Sequence, residues 1–130
     1  MLGTQSLGTK DASATIAVKN LAAARKFYEG TLGLTPEDSR ESGVAVYKSG
    51  HTTLVVYESQ YAGTNKATSA TWMVGSDVKD LVQALKAKGV AFEHYDMPGI
   101  KREGDVHVGT NVKAAWFKDP DGNILSLVSS

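Results

Sequence analysis

The chain has 130 residues, 42% of them hydrophobic and 22% charged, which is the length of one ordinary domain and the composition of a globular rather than a disordered chain. Fourteen Lys and Arg balance fourteen Asp and Glu, so the basic excess that offsets nucleic-acid phosphate is missing and nucleic acid is not an expected partner. Cysteine is absent, which removes disulfides, thiol nucleophiles and thiolate metal sites together.

The first dozen residues, MLGTQSLGTKDA, are small and polar. They read as a flexible arm over residues 1–12, without the charged-then-apolar pattern of an export leader. No apolar run is long enough to span a bilayer. A cytoplasmic protein without membrane contact is therefore expected.

A strand is expected over residues 14–19, followed by a helix over residues 21–32. Leu21, Ala24, Phe27, Tyr28 and Leu32 fall on one face at helical spacing. Asn20 is the expected N-cap, because its side chain can accept from the free amides of the first turn. Gly33 offers the left-handed residue that closes the helix. A short strand over residues 35–40 then leads into a hairpin, residues 44–48 and 53–57, around a Ser-Gly-His turn. Residues 60–68, QYAGTNKAT, read as a linker.

The pattern then repeats. A strand over residues 71–74 precedes a helix over residues 78–88, where Val78, Leu81, Val82 and Leu85 form the apolar stripe. Ser76 or Asp77 caps it, and Gly89 closes it. Strands follow over residues 91–95, 112–118 and 124–128, the last two joined by Asp119-Pro120-Asp121-Gly122-Asn123, a strong turn signal. The polar stretch 97–111 reads as a mobile loop that could close over a site. Strand, helix, three strands, twice over, makes an α+β chain of two βαβββ modules. They occupy residues 13–59 and 69–130 of a single domain over 13–130.

Three segments resemble one family. IAVKNLAAARKFYEGTLGL resembles the opening strand and helix of the glyoxalase/bleomycin-resistance/extradiol-dioxygenase (vicinal oxygen chelate) superfamily. SDVKDLVQALKAKGV resembles its second helix, and AAWFKDPDGNILSLV its closing hairpin, the most specific of the three. The resemblance covers residues 13–129. It implies that the two modules curl their sheets into a cup, and that small members are homodimers with modules paired across chains.

In metal-dependent relatives the cup holds a divalent ion through His and Glu. Carried over by position, the first-strand ligand falls on Ser13, the fifth-strand ligand on Ala70 and the last-strand ligand on Ser126. A fourth ligand found in some relatives falls near Val55 or Val56. A hydroxyl is a poor transition-metal ligand at neutral pH and a methyl is none. No metal and no other cofactor is therefore expected, and the chemistry that relatives derive from a Lewis-acidic ion should not be assigned from the fold.

Side chains two apart on a strand share a face. With Ser13, Ala70 and Ser126 marking the cup interior, Thr15, Ala17, Trp72, Val74 and Val128 are expected to face it. Relatives also place Trp116 there, with Ala114 beside it, while Phe117 packs under the helices. Tyr47 and Tyr57 are further candidates. His51, His94 and His107 do not fall on ligand positions and read as ordinary histidines in a turn, a strand and a loop.

A cup with two indoles, small residues and a few hydroxyls suits a flat, partly aromatic ligand. The expected function is metal-independent binding or sequestration, as in the bleomycin-resistance branch. An enzyme is the alternative, either a lyase or dioxygenase with an unrecognised metal site or one using general acid–base chemistry. On this reading the cup wall lacks a carboxylate, since Glu58, Glu93 and Asp96 enter it only if the register shifts by one.

Overall fold

A computed structural model describes residues 7–38 and 42–129. The expected strand over residues 35–40 ends at Glu37, and Arg40 lies outside the described residues, as do residues 1–6 of the arm. Residues Leu7–Thr9 of that arm form one 3-10 turn.

Module one opens with β1, Ala14–Val18. Asn20 caps the helix as expected, its Oδ1 accepting the Ala23 amide at 3.0 Å. The α-helix, α1, is only Leu21–Arg25 and widens into a π-helical turn over Lys26–Thr31. Gly33 follows at φ 75, a conformation open to glycine because it lacks a Cβ. Strands β2 (Thr35–Glu37), β3 (Val44–Ser49) and β4 (Thr52–Glu58) form an antiparallel meander. β4 returns parallel to β1, so the sheet order is β1-β4-β3-β2.

Module two repeats this plan. β5 (Thr68–Met73) leads through a 3-10 turn into α2 (Val78–Ala87). Asp77 stands at the N-cap but makes no side-chain cap bond; the 3-10 turn provides the entry instead. β6 is short (Phe92–Glu93), and β9 (Lys113–Lys118) and β10 (Ile124–Val128) close the module. The stretch 97–111 is not the structureless loop expected from its polarity. It carries a hairpin of β7 (Lys101–Glu103) and β8 (Val106–Val108), turned at Gly104 with φ 62. Cross-strand pairing to β9 orders it despite its few apolar residues. The sheet order is β5-β10-β9-β8-β7, with β6 also on β9.

Each sheet has one mainly apolar side, turned toward the helices. Ile16, Val18, Tyr47 and Val56 supply it in module one, and Ala115, Phe117, Leu125 and Leu127 in module two. Val78, Val82 and Leu85 of α2 and Tyr28 of the π turn cover these residues, and one core spans both modules. Phe117 meets Phe27 of module one at 6.4 Å and Phe92 of its own module at 5.5 Å, centroid to centroid. Each such side chain contributes about 1.5–3 kcal/mol by leaving water.

A polar knot joins the modules across this core. Asp119, 5% exposed, accepts from the Tyr28 hydroxyl at 2.7 Å, from the Asp121 and Asn123 amides at 2.9 and 2.8 Å, and from Asn123 Nδ2 at 2.8 Å. Asn123 Nδ2 also donates to the Ala17 carbonyl of β1 at 2.7 Å, and Asp121 Oδ2 accepts the Lys19 amide at 3.1 Å. Burial, and then the Asp119 carboxylate, pushes the Tyr28 phenol well above its ordinary range, so it remains a donor. The linker is seated on the same turn. At Gly63, φ 75, an added Cβ would lie 2.1 Å from the Asp121 carbonyl oxygen.

Tyr28→Phe removes one donor from a buried carboxylate and is expected to cost about 1–3 kcal/mol in urea denaturation. Gly63→Ala combines a clash with a left-handed backbone and should cost at least as much, about 2–4 kcal/mol. An unchanged midpoint for either variant would show that the knot does not couple the modules.

Candidate functional site

The sheet sides turned away from the helices are the inner faces. In module one, register places Thr15 beside Val55 and Ala17 beside Tyr57, with Val46 and Val44 next to them on β3. Tyr57 is 36% exposed. The Ser13 and Thr53 hydroxyls bond to each other at the edge of this face. In module two, Ser126 pairs with Trp116 on one side and Thr71 on the other, and Ala114 pairs with Val128. The Thr71 and Ser126 hydroxyls hydrogen-bond at 2.7 Å. The Trp116 indole N–H donates to Thr68 Oγ1 at 3.3 Å.

Ser13, Thr15, Tyr57, Ala114, Trp116 and Ser126 thus lie on inner faces, and four expected residues, Tyr47, Ala70, Trp72 and Val74, do not. Tyr47 is fully buried on the helix side, stacked on Tyr28 at 6.1 Å, its hydroxyl donating to Glu29 Oε2 at 2.7 Å. Burial, and then that carboxylate, raises its phenol above the ordinary range. Ala70 and Trp72 pair with Leu125 and Leu127, which belong to the core side. The Trp72 N–H donates to Ser49 Oγ at 2.9 Å. Its ring, with Val74, lines an apolar cavity of about 120 Å³ walled by Leu34, Leu81 and Phe117. Only one indole therefore faces inward. The cause is one residue of register: strand period is two, so taking Ala70 as interior moves every β5 side chain to the wrong face. A bulge between Ile124 and Leu125 shifts the pairing where that choice had to be made.

The donors at the expected metal positions do not suit a transition metal. Ser13 and Ser126 are hydroxyls bonded to other hydroxyls. Ala70 has no donor, and its inner-face neighbour Thr71 offers a further hydroxyl. Among the described residues no group of three or more His, Asp and Glu side chains converges.

The inner face of module two nevertheless carries an imidazole and a carboxylate. Glu93 pairs with Trp116, so it lies on the inner side while Phe92 enters the core, and Lys118 approaches it at 3.4 Å. His107 is not in a loop. It sits on β8 opposite Ala114, is 2% exposed, and meets the Trp116 ring edge-on at 4.9 Å. Tyr95 lies 5.5 Å from Trp116 and 6.3 Å from His107. The alternation Val106-His107-Val108 was the available signal, masked by the glycines and charges around it. His94, whose ring lies 6.4 Å from that of His107, bonds Asp105 at 2.7 Å opposite Lys86 of α2, also at 2.7 Å.

The comparisons with known proteins agree with this fold. The sequence matches the Glyoxalase/Bleomycin resistance protein/Dioxygenase superfamily over residues 12–127, and the chain belongs to that superfamily. Among solved structures it resembles an integron cassette protein from the mobile metagenome of the Halifax Harbour sewage outfall, with a TM-score of 0.71 at 19% identity, covering 94% of this chain and 99% of that one. A lactoylglutathione lyase from Agrobacterium tumefaciens follows with a TM-score of 0.69 at 15% identity, covering 94% of each chain. A genomically encoded fosfomycin resistance protein from Listeria monocytogenes gives 0.65 at 14% identity, covering 94% of this chain and 91% of that one. At these identities the likeness is one of fold. No curated protein matches the sequence. No helix among the described residues is long and apolar enough to cross a membrane.

Hydrogen bonds from Lys86 and His94 hold the Asp105 carboxyl below its ordinary range. A group whose folded pKa is depressed stabilises the fold above its unfolded pKa, and that contribution disappears as pH falls through the folded pKa. Urea midpoints measured between about pH 7 and about pH 3 should therefore fall less steeply for Asp105→Asn than for the parent. Parallel curves would show that Asp105 contributes nothing to acid sensitivity.

Proposed function

We propose that this chain binds or sequesters a small, partly aromatic molecule without a metal, as in drug resistance, in a cup between the inner faces of two subunits. The observation that carries the reading is the setting of Trp116. It is a half-buried indole on an inner sheet face, edge-on to Tyr95 and flanked by the hydroxyls of Thr68, Thr71 and Ser126. A flat ring can lie against the indole while hydroxyls meet its polar edge. The inner faces also leave apolar side chains uncovered, among them Tyr57 at 36% and Met73 at 64% exposure. A second copy of the chain would cover them.

A second reading, a metal-free enzyme, is favoured by Glu93 and His107, which both lie along the edge of β9 away from β10, Glu93 opposite Trp116 and His107 opposite Ala114. A carboxylate and an imidazole along one strand edge are the elements of general acid–base chemistry. The two readings separate by whether a bound molecule is recovered unchanged after prolonged incubation.

Trp116→Ala should weaken binding of planar aromatics about tenfold by calorimetry, from lost burial and stacking. Trp72→Phe, on the other side of the sheet, should leave affinity within about twofold. The absence of saturable binding across a panel of aromatic metabolites and antibiotics would sink the proposal. Sedimentation showing only monomer at binding concentrations would remove the shared cup.

A further inference from the structure

His107 has a hydrogen-bonding group without a partner. Its Nε2 accepts the Tyr95 backbone N–H at 2.9 Å. In the neutral ring the proton therefore sits on Nδ1. Nδ1 is buried and has no hydrogen-bond partner. A donor left unsatisfied in the interior costs about 1–3 kcal/mol. It stands against rings that cannot accept it conventionally: Trp116 at 4.9 Å and Tyr95 at 6.3 Å.

Directly opposite His107 on the β7–β8 ribbon is Arg102. Residues paired across antiparallel strands project to the same side, with Cβ atoms about 4.5–5.5 Å apart. Arg102 is exposed and makes no ion pair among the described residues. Of the acidic groups at this end, Glu93 is paired with Lys118 and Asp105 with Lys86 and His94, while Glu103 follows Arg102 on β7 and so projects to the opposite side of the ribbon, and neither it nor Asp96 makes an ion pair among the described residues. A buried neutral donor, an unpaired guanidinium and an indole thus share one side of the second sheet.

We propose that this corner of the cup recognises the carboxylate of a planar aromatic acid. The ring lies against Trp116, one carboxylate oxygen accepts the His107 Nδ1–H, and Arg102 balances the charge. Tyr95, 36% exposed on the irregular segment after β6, is the outer member of the ring trio. It turns aside about χ1 to admit the ligand ring while its amide stays bonded to Nε2. The inference rests on the binding reading above and narrows it to a ligand class.

The test compares 2-naphthoate with 2-methylnaphthalene, the same ring without the acceptor, by calorimetry on the full chain. His107→Gln can keep an acceptor for the Tyr95 amide but has no donor at the Nδ1 position. His107→Asn places an amide N–H near that position and gives up the bond to Tyr95. Naphthoate should bind the parent at least about tenfold more tightly than methylnaphthalene, as a hydrogen bond to a charged group predicts. His107→Gln and Arg102→Gln should each weaken naphthoate about tenfold and leave methylnaphthalene within about twofold, whereas His107→Asn should retain the preference. Should His107→Gln fold poorly, the parent alone decides by proton NMR: the His107 Nδ1–H resonance should move downfield with naphthoate and not with methylnaphthalene.

Equal binding of the two probes to the parent, or an unmoved Nδ1–H, overturns this inference and leaves the cup as an apolar binding site. Equal losses for both probes in His107→Gln assign His107 to positioning Tyr95 and also overturn it. Binding of neither probe, together with none across the aromatic panel, overturns the binding reading itself.

Discussion

The buried Asp119 carboxylate holds this architecture together. A βαβββ module has one apolar sheet side and a single helical segment to cover it, which leaves it short of an independent core. The turn at residues 119–123 solves this by reaching into the other module. Asp119 receives the Tyr28 hydroxyl from the π turn, and Asn123 reaches the backbone of β1. A carboxylate removed from water needs its lone pairs satisfied, and four donors do that here. Because those donors come from both modules, the requirement dictates how the modules sit, and Phe27, Phe117 and Tyr28 can close into one core.

With the helices gathered on one side, the other sheet sides are left as the inner faces, and their chemistry follows from strand parity. Module one offers apolar residues on β1 and β4, hydroxyls at the edge, and Lys48 and Glu37 toward β2. Module two offers Trp116 amid hydroxyls, with His107, Tyr95, Glu93 and Arg102 toward the β6–β8 end. The serines at two expected ligand positions bond to neighbouring hydroxyls rather than standing free. The buried imidazole of His107 lies two strands further out, on β8.

Much of the fold was legible in the chain. The helical stripe and the Asn20 cap announced α1, and the Asp119–Asn123 turn announced the closing hairpin, because each depends on side chains a few residues apart. The inner positions of Ser13, Thr15, Trp116 and Ser126 followed from resemblance and period. Ala70 and Trp72 did not, since a bulge and the parity of their strand are set by pairing with residues more than fifty positions away, and Tyr47 did not, because its parity puts it with Leu54 on the core side. The hairpin inside 97–111 was hidden for a related reason. Its strands are three residues each, and β9 rather than their own composition orders them.

By itself, then, the amino-acid order determined the repeated module, its helices and turns, and the superfamily, because those depend on local spacing and on motifs read along the chain. Only the tertiary structure decided which tryptophan faces the cup, and that an imidazole buried on β8 keeps an unanswered N–H beside it. Such facts depend on register and on what surrounds a side chain in three dimensions, and neither is encoded in any short stretch of sequence.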